Sequence, residues 1–560
     1  MFGVGKATPP ICVRGAPIIM RLAHILSQTE VKMAEVHARR FGQSGSLAAS
    51  TAVLAAASIA GKIVGAIYRV PLTNVLGAEG MGLYQTFFPV YALFVTLTSG
   101  ALPTITARAF AAAKARGEDG ANVYAAARRM SFALAAAGMA LFAAAIFPVA
   151  KLQSAGEFAI GYALLLPAVG AVALSALYRG IFLADGGSSV CALTQTAEQA
   201  IKLIFGLACA YFAARRGVEY AVYGALAAVT ISEFAGALTL RSAFRRRYKF
   251  LGARVDKTLS KEMFAAMLPL MASALVLPLC AFVDSFAIVG LLRLDGVVED
   301  VARAQYGLLT GAVGTLVNMP IVVAFSASAA ALPKFTSEYV RGGANAAHAK
   351  TSAAVGWGVM FAVPCAIAFA IFPRELLAVL YPTLSGAELA VAARLLQWQA
   401  AGIVPVVVMQ LLCSSLQAMD GGGKVMRIML VAAIVKQALQ AVLIPRVGVV
   451  GAPVAQCAMY FVAATAAAFV YRKRTGSAFI ARKTFAKTAL AGVIMVIAEK
   501  AVTLADISPW AKLAAAAVTA IAIYSGVLLA VGALKPRFRR ENNTNEETRR
   551  HCRDARHIDD

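Results

Sequence analysis

Long apolar runs separated by short polar segments constrain the fold of this 560-residue chain more than any other feature. Each run is about 20 residues long, the length of helix that crosses a bilayer core of about 30 Å. Hydrophobic residues make up 60% of the chain and charged residues 14%, whereas soluble domains have about 45–50% and about 25%. The sequence therefore predicts an all-α polytopic membrane protein rather than a series of soluble domains.

Fourteen runs satisfy this length, and we number them as spans in chain order. The predicted spans are 1 (47–70), 2 (81–107), 3 (130–150), 4 (158–183), 5 (190–213), 6 (218–240), 7 (263–292), 8 (304–333), 9 (351–373), 10 (389–418), 11 (425–444), 12 (448–471), 13 (485–505) and 14 (509–534). Residues 1–45 form a polar N-terminal extension without a cleavable signal pattern. Residues 535–560 form a highly charged tail, which is expected to be disordered.

Basic residues are distributed unequally between the two sets of loops. Loops after even-numbered spans carry Arg108, Lys114, Arg116, Arg128, Arg129, Arg241, Arg245, Arg246, Arg247, Lys249, Arg472, Lys473 and Arg474. Loops after odd-numbered spans carry few basic residues. Because positive loops stay in the cytoplasm, both termini are predicted to be cytoplasmic in a bacterial plasma membrane. The net charge of +25 then reflects topology, and nucleic acid is not expected as a partner.

Two short motifs recur at similar separations along the chain. The stretch 101–106 (ALPTIT) resembles 331–336 (ALPKFT), and the Asp-Gly-Gly at 185–187 recurs at 420–422. Chance recurrence of common residues is the alternative to duplication. We predict two six-helix lobes related by a pseudo-two-fold axis along the membrane normal, a plan that places the substrate between the halves. The predicted units are an N-lobe (46–240), a basic cytoplasmic linker (241–262), a C-lobe (263–471) and an added helix pair, spans 13 and 14 (472–534).

Ionisable residues inside spans are costly and are therefore functional candidates. Lys62 and Arg69 lie two turns apart on span 1, which suits an anionic diphosphate, although Arg69 could also reach the membrane interface. Glu198 and Lys202 have the spacing of an intrahelical ion pair, with gating or binding as the alternative. Asp284 on span 7 could pair with a cation across the lobes or bind a coupling ion. For the deep residues Glu233 and Lys436, interhelical pairing is the expected role.

The loops contain no pattern typical of an enzyme or a metal site. GxSxG, HExxH and P-loop motifs are absent from them, and the sequence predicts neither catalytic residues nor a cofactor nor a metal. Glycine and proline cluster in spans 7 and 8. The cluster comprises Pro269, Pro278, Gly307, Gly311, Gly314 and Pro320. These residues either allow the helices to bend or allow close helix packing.

The segments around the first two spans resemble a known family. Residues 61–69 (GKIVGAIYR) and 76–85 (LGAEGMGLYQ) are similar to the polysaccharide-biosynthesis and stage V sporulation protein B family. That family belongs to the multidrug/oligosaccharidyl-lipid/polysaccharide exporter superfamily, which includes the MurJ lipid II flippases. Supporting similarity covers Arg179-Gly180, Gln195, Glu198-Gln199, Lys202, Gln305-Tyr306-Gly307, Leu316, Pro320 and Leu416-Gln417-Ala418.

This resemblance implies a fourteen-helix, two-lobed flippase that alternates between inward-open and outward-open states. It implies substrates made of sugars linked to undecaprenyl diphosphate, with membrane lipids and cell-wall synthesis machinery as further partners. Peptidoglycan synthesis and sporulation are both implied settings. Members often carry Arg where this chain has Lys202, and of the basic cavity residues Lys62 and Arg69 carry over. Span 11 has Lys436 and no carboxylate, which argues against a sodium site.

Two other functions compete with lipid-linked oligosaccharide flipping. A drug/cation antiporter of the same superfamily would require an acidic cavity. A membrane-bound glycan polymerase would require acidic residues or a metal at the membrane surface. The direction in which the buried charges point separates these classes, because cations in a shared cavity favour the flippase and carboxylates favour the antiporter.

Overall fold

The computed structural model is all-helical over the residues that it describes. These residues are 47–153, 158–248, 256–419, 422–479, 482–504 and 508–532; for 47–64, 66, 67, 188 and much of 325–346 the description covers the backbone alone. The predicted terminal extension (1–45) and tail (535–560) lie outside the described residues. The predicted all-α fold is confirmed.

Every predicted span corresponds to helix in the described residues. The helices are Leu47–Ser99 (spans 1 and 2), Leu102–Ala115 (end of span 2), Ala121–Leu152 (span 3), Ile160–Ala184 (span 4), Ser188–Ala213 (span 5), Val218–Arg247 (span 6), Lys257–Leu294 (span 7), Glu299–Gly307 with a π-helix Leu308–Val313 (start of span 8), Gly314–Ile371 (spans 8 and 9), Pro373–Leu380, Gly386–Ala400 and Ile403–Ala418 (span 10), Gly422–Val447 (span 11), Gly451–Thr475 (span 12), Arg482–Thr503 (span 13), and Pro509–Thr519, a π-helix Ala520–Tyr524 and Ser525–Ala530 (span 14). By length and composition, ten of the helical stretches in the described part could cross a membrane, or eleven with the pair in span 10, which is bent by 43°. In this count, spans 11 and 12 form a single helical stretch, Gly422–Thr475.

Spans 1 and 2 are joined by one non-helical residue instead of the expected loop of several residues. Gly77 has φ 69° and ψ −175°, and the backbone is helical on both sides of it. Glycine adopts positive φ without the steric cost of a Cβ atom. Leu72 and Leu76 are buried just before the turn, so packing extends the span 1 helix beyond its predicted end at residue 70. Arg69 consequently lies inside the helix rather than at its end.

Buried apolar side chains form separate clusters in the two halves of the chain. One cluster runs from Tyr68 to Val229 in spans 1–6, and a second, from Ala101 to Met267, adds the start of span 7. The third contains residues of spans 7–12 and, from the first half of the chain, Ala78. Spans 13 and 14 pack on span 9, where the Tyr524 hydroxyl donates to the Met360 carbonyl over 2.9 Å. Large apolar side chains such as Phe147 remain exposed, as expected for a surface that faces lipid.

Arginines near the ends of spans 6 and 12 each donate to a backbone carbonyl at or beside an Asp-Gly-Gly motif. Arg247 donates to the carbonyl of Asp185 over 3.1 Å, and Arg474 donates to the carbonyl of Met419. The Asp-Gly-Gly motif follows span 4, and Met419 directly precedes its second copy at 420–422. The acceptors differ by one residue relative to the two motif copies, and the duplication stays a prediction. We call the end of the bundle that carries these arginines the basic end, and the other the opposite end.

Candidate functional site

A cavity of about 340 Å³ lies between the two halves of the bundle. Its lining follows helical periodicity, since one face of each helix is exposed to it. The lining residues are Arg69, Gln85, Phe88, Pro89, Ala92, Ala281, Asp284, Ile288, Tyr306, Leu309, Thr310, Gly314, Asn318, Gln399, Lys436, Gln440, Ala452, Pro453, Gln456 and Tyr460. Spans 1 and 2 supply one wall, and spans 7, 8, 10, 11 and 12 supply the rest.

The wall formed by spans 1 and 2 carries a cation next to an aromatic ring. The Arg69 guanidinium carbon lies 6.0 Å from the centre of the Phe88 ring, and both side chains line the cavity. Lys202 Nζ lies 5.0 Å from the same ring and 5.8 Å from the ring of Tyr68. The face of an aromatic ring attracts cations, so Phe88 stabilises both charges. Within the described part of the chain, Arg69 has no carboxylate in an ion pair with it.

The opposite wall carries an ion pair between spans 7 and 11. Lys436 Nζ donates to Asp284 Oδ2, and the side chains are 5% and 15% exposed. Gln437 Nε2 donates to the other oxygen, Oδ1, over 3.0 Å. The expected interhelical partner of Lys436 is thereby identified. Pairing across the lobes, one of the two roles considered for Asp284, is wrong for the described residues, because its partner Lys436 lies in the same half of the chain.

Glu198 is held within the first half of the chain by Arg179 of span 4. Two hydrogen bonds of 2.6 and 2.7 Å join the guanidinium to the two carboxylate oxygens. The expected pair of Glu198 with Lys202 does not form, since a planar guanidinium binds both carboxylate oxygens at once. Lys202 instead interacts electrostatically with Glu233 of span 6. Neither Glu198 nor Lys202 is among the residues that line the cavity.

The two halves meet closely at the opposite end of the bundle. A Cβ atom on Gly82 of span 2 would lie 2.1 Å from the carbonyl oxygen of Arg303, and one on Gly307 would lie 2.3 Å from that of Ala78. Of the two roles expected for the glycines and prolines of spans 7 and 8, helix bending or close helix packing, Gly307 therefore has the second. Gln85 Nε2 donates to the carbonyl of Thr310 over 3.0 Å between the same two spans. Because glycine alone permits this approach of the backbones, spans 2 and 8 close the cavity at this end.

Loops after odd-numbered spans surround a smaller cavity at the closed end. It has a volume of about 220 Å³, and its lining includes Glu79, Phe158, Arg216, Glu219 and Arg303. The Arg303 guanidinium carbon lies 5.5 Å from the Phe158 ring centre, which links the two halves of the chain. Side chains from several odd-numbered loops therefore meet at one end, as the alternation of spans requires.

Comparison with known proteins places this architecture in a family. The sequence model of the family described as "Polysaccharide biosynthesis protein" matches residues 47–338, just over half of the chain. The chain belongs to the polysaccharide biosynthesis protein family. The resemblance seen at spans 1 and 2 is therefore confirmed.

Two relatives from Bacillus subtilis (strain 168) support this assignment to the polysaccharide biosynthesis protein family. Stage V sporulation protein B is 26% identical over 421 residues, which cover 72% of this chain and 79% of that protein. Lipid II flippase MurJ is 22% identical over 325 residues, covering 53% of this chain and 59% of its own length, so that less than two thirds of MurJ is matched.

Solved structures show that this member of the polysaccharide biosynthesis protein family shares its fold with transporters. An inward-facing multidrug resistance MATE family transporter of the MOP superfamily superposes with a TM-score of 0.65 at 16% identity, covering 74% of this chain and 94% of that one. Lipid II flippase MurJ in an inward closed conformation gives 0.63 at 14% identity, covering 85% and 99%. The chain is thus a membrane protein with the fold of the transporters and flippases of this superfamily.

Only some of the five predicted site residues line the cavity. Arg69 and Asp284 line the cavity, whereas Lys202 lies beside Phe88 and Glu198 is bound to Arg179. The side chain of Lys62 lies outside the described residues, so its role stays a prediction. Sequence reasoning missed the amides that line the cavity. These are Gln85, Asn318, Gln399, Gln440 and Gln456. Uncharged polar residues inside apolar spans were the available signal for them.

Proposed function

We propose that this protein is a flippase for lipid-linked oligosaccharides, which moves sugars attached to undecaprenyl diphosphate across the bacterial plasma membrane by alternating access. The observation that carries the proposal is the unpaired Arg69 cation in the cavity between the halves. Lys436 and Asp284 neutralise each other, so Arg69 leaves the described lining with a net positive charge. A diphosphate group entering this cavity gains a counter-charge in surroundings where the attraction is strong.

The proposed transport step requires no covalent chemistry. The diphosphate lies against Arg69, the sugars occupy the cavity, and the lipid tail stays in the bilayer. The contact between Gly82 and Gly307 closes the opposite end, so the substrate enters from the basic end. The excess of basic residues at that end supports a cytoplasmic orientation for it and for both termini. Peptidoglycan synthesis and sporulation are the proposed settings, because the two relatives are a lipid II flippase and a stage V sporulation protein.

The arrangement of carboxylates gives less support to a drug/cation antiporter. The fold is shared with MATE transporters, and Asp284 does line the cavity. Its two oxygens, however, are bound by Lys436 and Gln437, and Glu198 is bound by Arg179. A cationic drug would have to displace these partners, whereas an anion meets Arg69 directly.

A reconstituted transport assay tests the proposal. Purified protein is placed in vesicles with a fluorescent short-chain polyprenyl-diphosphate N-acetylglucosamine, and its movement between leaflets is followed by quenching. We expect transport by the wild type and a rate about tenfold or more lower for Arg69→Gln, since the lost contact involves a charge. Arg246→Gln, an exposed arginine at the basic end, is the matched control and should transport normally.

The same assay addresses Lys62, whose side chain the structure does not describe. Lys62→Met should insert normally but transport more slowly, and Lys62→Arg should retain more activity than Lys62→Gln because charge is the requirement. If the wild type does not move the lipid but takes up ethidium in exchange for protons, the flippase proposal is wrong and the antiporter function is correct.

A further inference from the structure

The cavity is lined by an unusual set of amide side chains opposite Arg69. Gln399 of span 10, Gln440 of span 11 and Gln456 of span 12 all come from the second half of the chain. Hydrophobic residues dominate these three helices, and an uncharged amide buried within them is costly unless it is hydrogen-bonded.

Two of the amides have a buried oxygen without a hydrogen-bond partner in the described structure. The Oε1 atoms of Gln399 and Gln440 are both buried and unpartnered, and the Gln440 side chain is 2% exposed. Gln437, less than one turn before Gln440, differs because its amide donates to Asp284. Most buried polar atoms in proteins have a partner, so two unpartnered oxygens on residues that line one cavity need an explanation.

Two polar groups of the cavity lining have partners elsewhere. Lys436 lies one turn before Gln440 on span 11, but its ammonium is directed to Asp284. Gln85 is another amide of the cavity lining, and its Nε2 donates to the Thr310 carbonyl of span 8. A ligand that brings its own donors into the cavity would satisfy both oxygens at once.

We propose that Gln399 and Gln440 form the binding site for the sugar headgroup of the transported lipid, accepting hydrogen bonds from its hydroxyl or amide N–H groups. This inference rests on the proposed flippase function and assigns separate walls of the cavity to the diphosphate and to the sugar. Arg69 on the wall of spans 1 and 2 takes the diphosphate, and the amides on the facing wall take the sugar. An amide can donate at one end and accept at the other, so either orientation of the two side chains serves a polyol.

The size of the cavity agrees with a small polar headgroup. Its volume of about 340 Å³ falls in the lower part of the range of about 300–1,000 Å³ for small-molecule sites. A site that uses hydrogen-bonding groups also discriminates strongly, because a ligand that lacks the matching groups leaves these amides unpaired. The amide wall would therefore select sugar-bearing lipids over bare polyprenyl diphosphate.

Binding of two probes to the purified full-length protein tests this inference. The probes are short-chain polyprenyl diphosphate and the same lipid carrying N-acetylglucosamine, and the variants are Gln399→Met and Gln440→Met. We expect each variant to bind the sugar-bearing probe about five- to tenfold more weakly, the usual effect of one lost neutral hydrogen bond. Both should bind the bare diphosphate as the wild type does, whereas Arg69→Gln should weaken both probes.

Thermal stability separates a binding role from a structural one. Methionine has nearly the shape of glutamine and removes an unsatisfied polar atom, so Gln440→Met should leave the melting temperature unchanged or raised. A lowered melting temperature together with equal losses for both probes would overturn the inference. Gln397→Met is the matched control, because Gln397 is exposed on the same helix as Gln399 and does not line the cavity.

The outcomes distinguish this inference from the proposed function. If both variants bind the sugar-bearing probe with wild-type affinity, the amide site is wrong although the flippase proposal stands. If the wild type binds neither probe, both proposals fail. If the wild type binds both probes equally well, the lipid-linked diphosphate remains the substrate and the amide wall does not select sugars.

Discussion

Substituting Gly82 by alanine should prevent the two halves from closing at the opposite end of the bundle. The new Cβ atom would lie 2.1 Å from the Arg303 carbonyl oxygen and 2.8 Å from its carbonyl carbon. Ordinary contacts begin at 3.4 Å, so spans 2 and 8 would have to separate by about 1 Å. Both contacts are with backbone, and rotation of a side chain cannot relieve them.

The size of the effect follows from the cost of overpacking. Forcing one extra methyl group into a closely packed contact costs about 1–3 kcal/mol. If this cost applies to the closed state alone, the ratio of closed to open protein falls by about 5- to 150-fold. The variant should therefore fold normally and open more often at the opposite end.

Cysteine accessibility measures this shift. Thr310, which lines the cavity, is replaced by cysteine in a variant lacking the eight native cysteines, and a membrane-impermeant maleimide is added to either side of oriented vesicles. We expect Gly82→Ala to label faster from the side of the opposite end. Gly290→Ala is the control, since a Cβ atom there meets nothing within 4 Å. Unchanged labelling and full transport in Gly82→Ala would refute the assignment of this contact as the closure.

Two further predictions concern charged contacts in the first half of the chain. Glu198→Gln should cost about 3 kcal/mol of unfolding free energy at most, because it leaves the half-buried Arg179 without its charged partner. The double variant with Arg179→Gln should recover part of this loss. Equal melting temperatures for the wild type and the single variant would contradict this account. In the loop after span 4, burial alone would raise the pKa of Asp185, but hydrogen bonds from Lys114 and Tyr248 outweigh it and lower the pKa. A lowered pKa stabilises the protein above about pH 4. The wild type should therefore melt at a higher temperature than Asp185→Asn at neutral pH, and this difference should shrink as the pH falls towards 3. A difference that grows instead would exclude this account.

Span positions could be predicted from the sequence because each helix must be apolar over the thickness of a membrane, whatever its neighbours are. The junctions between spans were less predictable. Helix continues through residues 71–76 since packing of Leu72 and Leu76 outweighs the polar residues nearby, and Gly77 turns the chain alone. Nothing in the hydropathy pattern distinguishes such a turn from a loop.

Pairing of buried charges could not be predicted from spacing within one helix. Glu198 and Lys202 are four residues apart, yet Glu198 binds Arg179 on another span, whose Nη2 donates to both carboxylate oxygens. Asp284 and Lys436 are far apart in sequence and meet only because spans 7 and 11 pack together. Arg69 could be predicted because it is an ionisable residue within an apolar span, whereas the unpartnered oxygens of Gln399 and Gln440 are visible only in the folded protein.

The contact between Lys436 and Asp284 has a consequence for the environment in which the protein works. A carboxylate that attracts a dissolved ion is occupied to an extent that depends on the salinity outside the cell. Here the counter-ion is attached to the polypeptide, so its local concentration is fixed by the fold and does not follow the medium. The electrical state of this wall should therefore be the same in fresh water and in brine, and a cell that meets both would keep the same cavity.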